Sequence, residues 1–328
     1  MTLRLALTER IWPLREPFVI ARGSRDDQPV LEVRVTDAEG RCGRGEACGV
    51  PYAGETPQSM SAEIEAVRGR IEQGIDRHAL LALLPPGGAR FALDAALWDL
   101  EARQSGVSAF ARAGLEPRPV TVSRTIGIRA PQAHEAAARQ FAAYPLLKIK
   151  VNAEDPLAAI RASRCGAPAS RLIVDPNQSW TPEMVRDLAP ELAALGVVLL
   201  EQPVPVGAEA GLDGYDSPVP LCADELIDGI EDLPLARGRF AYVNIKLDKT
   251  GGLTAALALA EAARAQGFGL MVGCMNGSSL CMAPAMVLAQ LCEFADLDGP
   301  LLQAEDVAHG FAYDNGRIAQ PHQPLLWG

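Results

Sequence analysis

The sequence predicts an α/β protein, a barrel of alternating strands and helices behind an N-terminal α+β domain, and three observations lead there. Short apolar runs recur, from Leu146 to Val151, Leu172 to Asp175, Val197 to Glu201, Leu221 to Asp224 and Tyr242 to Lys246. Charged residues close them, and Lys150, Asp175, Glu201, Asp224 and Lys246 stand 25, 26, 23 and 22 residues apart. One strand, one helix and two short loops need roughly 25 residues. Finally, strands precede helices in the first 115 residues, whereas strand and helix alternate afterwards.

In the first part, Leu3 to Leu7, Phe18 to Ala21, Val30 to Thr36 and Arg41 to Ala47 read as short strands; Leu31, Val33 and Val35 alternate in the third. Asp37-Ala38-Glu39-Gly40 is turn chemistry and joins the last two as a hairpin. Helical patterns run from Pro57 to about Gln73, behind a Thr56 cap, and from Ala89 to about Gln104. From Val120 eight strands are predicted: Val120 to Ile126, the five runs above, Gly269 to Met275, and Phe294 to Asp298. No amphipathic helix follows the eighth. The expected division is residues 1–115 as the α+β domain, 116–310 as the barrel, and 311–328 as a tail returning to the first domain.

With 48% hydrophobic and 22% charged residues the chain can bury a large core. A formal net charge of −11, with no basic run, disfavours nucleic acid and anionic membrane surfaces. The 28 residues from Ala265 to Cys292 carry no charged side chain, but Gly267, Gly269, Gly273, Asn276, Gly277 and Pro284 break them into strand, loop and helix rather than a membrane span. Early charges at Arg4, Glu9 and Arg10 do not fit a signal peptide, so a cytoplasmic protein is expected. Seven cysteines without a Cys-x-x-Cys pair read as mostly buried thiols, and four scattered histidines argue against a zinc hydrolase.

Strand ends on one side of such a barrel converge on a single mouth. Asp175, Glu201 and Asp224 close three successive strands, and three carboxylates in register suit a hard cation, magnesium best of all. Alone, each carboxylate also reads as a helix cap. Lys148 and Lys150 share one face of a buried strand, because side chains repeat with period two. Lys246 lies four strands further on, diametrically opposite in an eight-stranded ring. Two opposed lysines can remove a proton from one face of a carbon and return it to the other. To serve as bases they need lowered pKa values, which a second lysine, a cation and burial would provide.

Lys148-x-Lys150, Asp175-Pro-Asn177, Glu201-Gln-Pro203, Ala223-Asp224-Glu225 and Asn244-Ile-Lys246-x-x-Lys249-x-Gly251-Gly252 together resemble the muconate-lactonizing subgroup of the enolase superfamily. The resemblance covers nearly the whole chain. It implies a modified TIM barrel, (β/α)7β, behind an N-terminal α+β capping domain, with one Mg2+ per subunit on Asp175, Glu201 and Asp224. It also implies proton transfer by Lys150 and Lys246, charge stabilisation by Lys148, and support from Asn177, Glu225 and Lys249. A Lys or His base beside magnesium is the established pattern for enolase-superfamily sites.

Asp296-Leu297-Asp298-Gly299-Pro300 is similar to the Asp-x-Asp motif of the dipeptide epimerases, which holds the substrate's ammonium, although Asp-Gly-Pro also reads as a turn. By this resemblance the reaction inverts the α-carbon of the C-terminal residue of a dipeptide such as Ala-Glu, through an enediolate. Muconate or chloromuconate cycloisomerase, o-succinylbenzoate synthase and N-acylamino-acid racemase chemistry would use the same site. Thr125, Met275 and Asn276 would meet the substrate, and the loops around Arg22, Arg25 and Tyr52 would close over it. Gly277 stands where family members often carry an acidic residue. The expected partners are a small-molecule dipeptide and further copies of the chain as a homo-oligomer, with no nucleic acid and no membrane.

Overall fold

A computed structural model describes residues 2–328. The chain opens with an antiparallel meander of β1 (Arg4–Ile20), β2 (Gly23–Thr36) and β3 (Cys42–Ala47). The two short strands expected at Leu3 to Leu7 and Phe18 to Ala21 are the two ends of β1. Between them Thr8, Glu9, Arg10 and Ile11 are exposed, so no apolar alternation marks the strand there. β1 pairs with β2 from Arg4 opposite Thr36 to Ile20 opposite Gly23, with a break in register between Pro13 and Phe18. At the next turn the Asp37 carboxylate accepts from the Glu39 and Arg41 amides at 3.0 and 2.9 Å.

Four helices follow: α1 (Pro57–Ala66), α2 (Arg68–Glu72), α3 (Arg77–Leu83) and α4 (Gly88–Ser105). Thr56 caps α1 reciprocally with Ser59. The single helix expected from Pro57 to Gln73 breaks at Val67. That β-branched residue takes φ −116° and ψ 7°, and its amide bonds back to Ile64 rather than one residue further. α4 lies directly on β3. A Cβ at Gly45 would fall 2.0 Å from the Ala92 carbonyl oxygen, so only glycine lets helix and strand meet.

After α5 (Ala109–Arg112), the strand expected from Val120 to Ile126 divides. β4 (Val120–Thr121) leaves the barrel to pair with β13 (Arg317–Ile318), and β5 (Arg124–Ile126) begins the ring. The barrel continues through α6 (Pro131–Gln140), β6 (Leu146–Lys150), α7 (Pro156–Gly166), β7 (Arg171–Asp175), α8 (Pro182–Ala194), β8 (Val197–Glu201) and β9 (Leu221–Ala223). Then come α9 (Leu233–Ala236), β10 (Tyr242–Lys246), α10 (Leu247–Thr250), α11 (Leu253–Ala265), β11 (Gly269–Gly273), α12 (Ser279–Ala289), β12 (Phe294–Ala295) and α13 (Gly299–Leu302). β5 to β12 neighbour one another in chain order and run parallel. The Ser123 amide donates to the Ala295 carbonyl at 2.9 Å and ties the first strand to the last.

The interior is layered. Leu146, Ile173, Leu199, Cys222, Met271 and Phe294 form a closed apolar cluster across the strands. Two residues further along their strands stand Lys148, Asp175, Glu201, Asp224 and Asp296. Period two therefore converts an apolar plug into a charged floor one layer above it. No helix among the described residues is long and apolar enough to cross a membrane; the uncharged stretch divides into the end of α11, β11 and α12.

Buried polar groups join the first domain to the barrel. Arg90 of α4 donates to the Thr250 and Gly251 carbonyls at 2.7 and 3.1 Å, and Asp94 accepts from the Thr254 amide at 3.1 Å. Asp248 accepts from the Cys48 and Gly49 amides at 2.9 and 2.8 Å. From the other side, the Trp327 indole donates to the Ala95 carbonyl at 2.9 Å, and the Gly328 carbonyl accepts from the Ala109 amide at 3.0 Å. Glu46 of β3 accepts from the Ser278 amide at 2.7 Å, ahead of α12, and from the Trp12 indole at 3.2 Å.

Burial pushes the Glu46 carboxyl up from 4.5 to about 7, against the opposing pull of its hydrogen bonds. A raised carboxyl favours the folded state while protonated, so its contribution is complete below about pH 4.5 and is lost as pH rises toward 7. Measured by urea unfolding at pH 5 and pH 8, Glu46→Gln should lose less stability across that interval than the parent, by up to about 3 kcal/mol. Equal losses in both proteins would contradict the assignment.

Candidate active site

The charged floor is organised around Lys148. Its Nζ lies 2.7 Å from Asp296 Oδ2, 2.7 Å from Glu201 Oε2 and 3.1 Å from Asp175 Oδ2. Lys150 Nζ donates to Asp175 Oδ2 at 2.5 Å and to Asn177 Oδ1 at 3.1 Å. Across the barrel, Lys246 Nζ donates to Asp224 Oδ2 at 2.6 Å. Lys249 Nζ donates to Asp224 Oδ1 at 3.0 Å and to the same residue's carbonyl, and Asn244 Nδ2 donates to Glu201 Oε1 at 2.9 Å.

The electrostatics follow from how unevenly the four ammonium groups serve these carboxylates. Burial alone would lower Lys246, but the attraction of Asp224 and Glu201 outweighs it and raises the ammonium. Lys148 is raised in the same way, against burial, chiefly by Asp296 and Glu201. The sequence reading asks for lowered values at the opposed pair Lys150 and Lys246; at Lys246 the facing carboxylates act in the opposite direction. Burial opposes ionisation of Asp175, yet Lys150 and Lys148 hold it down to about 2, and Lys246 with Lys249 holds Asp224 well below its usual range. Glu201 goes the other way. Burial and then the nearby Asp175 push it up to about 8, because Lys148 is shared with two other carboxylates. Its Oε2 is close to that ammonium but outside hydrogen-bonding geometry, and it has no hydrogen-bond partner.

As they stand, no three acidic, His or Cys side chains among the described residues are gathered closely enough to hold an ion; ammonium groups stand between them. The donor set nevertheless fits a hard cation. It consists of fully buried carboxylates, and one buried oxygen of Glu201 lacks a hydrogen-bond partner.

Above the floor opens a cavity of about 380 Å³, lined by Lys148, Lys150, Lys246, Asp296, Asp298 and Thr125 from the barrel. Asn177, Met275 and Asn276 complete that side, while Arg22, Arg25 and Tyr52 come from the first domain. Asp175, Glu201 and Asp224 are not in the wall; they lie buried beside the lysines that are.

The hairpin tip between β1 and β2 closes the top. Arg22 ion-pairs with Glu225, immediately after Asp224, and its guanidinium lies 4.9 Å over the Tyr52 ring. Arg25 donates to Gln28 Oε1 at 2.8 Å, and Asn276 reaches the same oxygen at 3.5 Å. Asn276 takes φ +77°, in the left-handed region that asparagine tolerates.

The two aspartates after β12 meet the cavity by a different route from the one expected. β12 ends at Ala295 and Asp298 is the N-cap residue of α13, so strand alternation does not align them. Thr125 does. Its single hydroxyl proton is shared between Asp296 Oδ1 at 3.3 Å and Asp298 Oδ1 at 3.2 Å, and its amide donates to Asp298 Oδ2 at 2.7 Å. Three contributors escaped the sequence reading. Ser123 donates to Asp296 at 2.7 Å, Arg124 ion-pairs with Asp298 at 3.3 Å, and Gln202 positions Asp224 by accepting its amide at 2.8 Å. Gln202 sat inside the quoted Glu-Gln-Pro motif; Ser123 and Arg124 make contacts across the barrel seam that no local pattern announces.

Gly277 is explained by its neighbours. At φ +102° a Cβ would lie 2.8 Å from Cys281 Cβ and 3.0 Å from Cys48 Sγ, so two cysteines fill the space a side chain would need.

The N-terminal domain of mandelate racemase / muconate lactonizing enzyme matches residues 2–111, and the enolase C-terminal domain-like family matches residues 130–324. The L-Ala-D/L-Glu epimerase of Escherichia coli (strain K12) is 43% identical over 313 residues, 94% of this chain and 97% of that protein. The N-acetyl-D-glutamate racemase of Pseudoalteromonas sp is 41% identical over 289 residues, 87% and 91% of the two chains. Among solved structures, an enolase family member from Agrobacterium tumefaciens with homology to dipeptide epimerases, bound to sodium and L-Ala-L-Glu, superposes with a TM-score of 0.96. It shares 41% identity and covers 99% of this chain and 100% of its own.

Restoring an acidic side chain as Gly277→Asp should destabilise the fold by about 2 kcal/mol or more, through overpacking and backbone strain. Adding Cys48→Ala should recover part of the loss in chemical denaturation. A neutral single substitution would show that the two thiols do not occupy that space.

Proposed function

Because the chain belongs to the mandelate racemase and muconate lactonizing enzyme family, we propose that it epimerises dipeptides at the α-carbon of the C-terminal residue, Ala-Glu among them. Within that family it is an isomerase acting on amino-acid derivatives. The observation carrying the reading is that Lys150, from β6, and Lys246, from β10, enter one cavity from opposite sides of the ring, with Asp296 and Asp298 in the same wall.

In this reading one lysine takes the α-proton as the C–H bond breaks, and the electron pair spreads into the adjoining carboxylate. The opposed lysine delivers a proton to the other face, so a new C–H bond forms with inverted configuration. Atoms balance without any redox partner. Lys246, held protonated beside Asp224 and Glu201, is set as a donor. Lys148, clamped by three carboxylates, is a fixed positive charge rather than a carrier.

Asp175, Glu201 and Asp224 would hold one Mg2+, for which the unpartnered Glu201 oxygen and the oxygen-only donors are the support. When bound, it would supply positive charge beside the substrate carboxylate. Asn177 and Lys249 support the floor through their bonds to Lys150 and Asp224, and Glu225 holds Arg22 of the covering hairpin. Arg22, Arg25 and Tyr52 would exclude water, and Arg25, which lines the cavity and is held by a neutral partner, Gln28, rather than by a carboxylate as Arg22 is, would meet an acidic substrate side chain.

In D2O the protein should incorporate deuterium at the C-terminal α-carbon of L-Ala-L-Glu while forming the other epimer, as read by mass spectrometry and chiral chromatography. Lys150→Ala and Lys246→Ala should each slow epimerisation by about 10³-fold or more. Each should still exchange the α-proton of one epimer only, and of opposite epimers. Loss of exchange from both epimers in both variants would point to collapse of the site, and unchanged rates would remove the lysines from the mechanism. Isothermal titration with Mg2+ should show one site per chain that Glu201→Gln weakens.

A further inference from the structure

The two lysines of the proposed proton transfer are held in different ways. The segment after Lys150 is fixed from within the barrel: the Val151 amide donates to the Asp175 carbonyl at 3.2 Å, and the Trp180 indole donates to the Asn152 carbonyl at 3.0 Å. The segment after Lys246 is α10, and the first domain grips it near both ends. Asp248, 1% exposed and outside the cavity wall, accepts from the Cys48 and Gly49 amides at 2.9 and 2.8 Å through one oxygen, Oδ1. At the other end Arg90 donates to the Thr250 and Gly251 carbonyls, where the helix leaves its backbone acceptors free. Between these grips Lys249 bonds to Asp224, the carboxylate that also receives Lys246.

The amides that Asp248 holds are the root of a loop that reaches the cavity. Glu55 takes the next amide, that of Val50, at 2.6 Å, and Pro51 and Tyr52 then line the same wall as Lys246. The Arg22 guanidinium lies over the Tyr52 ring, and Arg22 pairs with Glu225, the chain neighbour of Asp224. A closed circuit results. It leaves Lys246 through α10, crosses into the first domain at Asp248, and returns through Tyr52, Arg22 and Glu225 to the residue that holds the Lys246 ammonium. Burial pushes the Asp248 carboxyl up from 3.8 to about 7, against the pull of the two amides, so the position calls for an acceptor rather than a charge.

Resting on the epimerase reading above, we infer that Asp248 is a positioning residue for Lys246 alone: proton transfer on the Lys246 face depends on the docked 48–52 loop, and transfer on the Lys150 face does not. Displacing a reacting group by about 1 Å costs on the order of a hundredfold in rate. Each lysine can be followed separately. In D2O a lysine that takes the α-proton returns a deuteron to the same face, so that one C–H bond breaks, one C–D bond forms and the configuration is kept.

The test measures early deuterium incorporation into the recovered starting epimer, with L-Ala-L-Glu and L-Ala-D-Glu in parallel on one preparation, so that losses common to both cancel. The Lys246 epimer is the one whose exchange Lys246→Ala abolishes. Asp248→Ala should slow exchange of that epimer by about tenfold or more while the other stays within about threefold of the parent. Asp248→Asn, which keeps the acceptor, should restore the ratio. Arg90→Lys, with a single ammonium in place of a fork, should move the ratio in the same direction and decides the matter where Asp248→Ala does not fold. Equal slowing of both epimers, an unmoved ratio, or an Asn variant as impaired as the Ala variant overturns the inference and leaves the epimerase reading intact. Absence of exchange from both epimers in the parent overturns both.

Discussion

The structure depends most on one ammonium buried among three carboxylates. Lys148 is 1% exposed and touches Asp175, Glu201 and Asp296, groups from three different strands or strand ends. A buried carboxylate without a counter-charge is costly, and Lys148 is what allows several to share the barrel interior. It cannot satisfy all of them equally. Asp296 and Asp175 are held ionised while Glu201 is left short.

From this centre the roles divide by height. The apolar plug beneath keeps the floor rigid, the lysines above it reach the cavity, and the hairpin tip covers them. In the proposed reaction proton transfer falls to strand ends, which are fixed by sheet hydrogen bonds, and substrate fit to a hairpin tip whose side chains reach the barrel through the Arg22–Glu225 ion pair and the Asn276–Gln28 contact. Rigid chemistry and a detachable cover suit an enzyme that must exclude water during reaction and admit substrate between turnovers.

Much of this was legible in the sequence, for a physical reason: parallel strands buried on both faces show as apolar runs, and their ends carry the functional side chains. Lys150, Asp175, Glu201 and Lys246 follow from that rule alone. Asp296 and Asp298 were found as a pair although their alignment comes from Thr125, a contact across the seam. What could not be read are bonds between distant segments, such as Arg124 with Asp298 or Glu46 with Ser278, because nothing local to Arg124, Glu46 or Ser278 names a partner more than 170 residues away. The solvent-facing middle of β1 was missed for the opposite reason: it pairs through its backbone and buries little, so its side chains carry no pattern.

The final residues carry a consequence for the order of folding. Trp327 and Gly328 bond to α4 and α5, elements made more than 200 residues earlier, while the entire barrel lies between. In topology the barrel is an insertion within the first domain. On a ribosome the meander and α4 emerge first and must wait, with the Trp327 seat vacant, until the last barrel strand has been synthesised. The first domain is therefore closed by residues made after the whole barrel, and its α4 seat stays open while the barrel strands are being added.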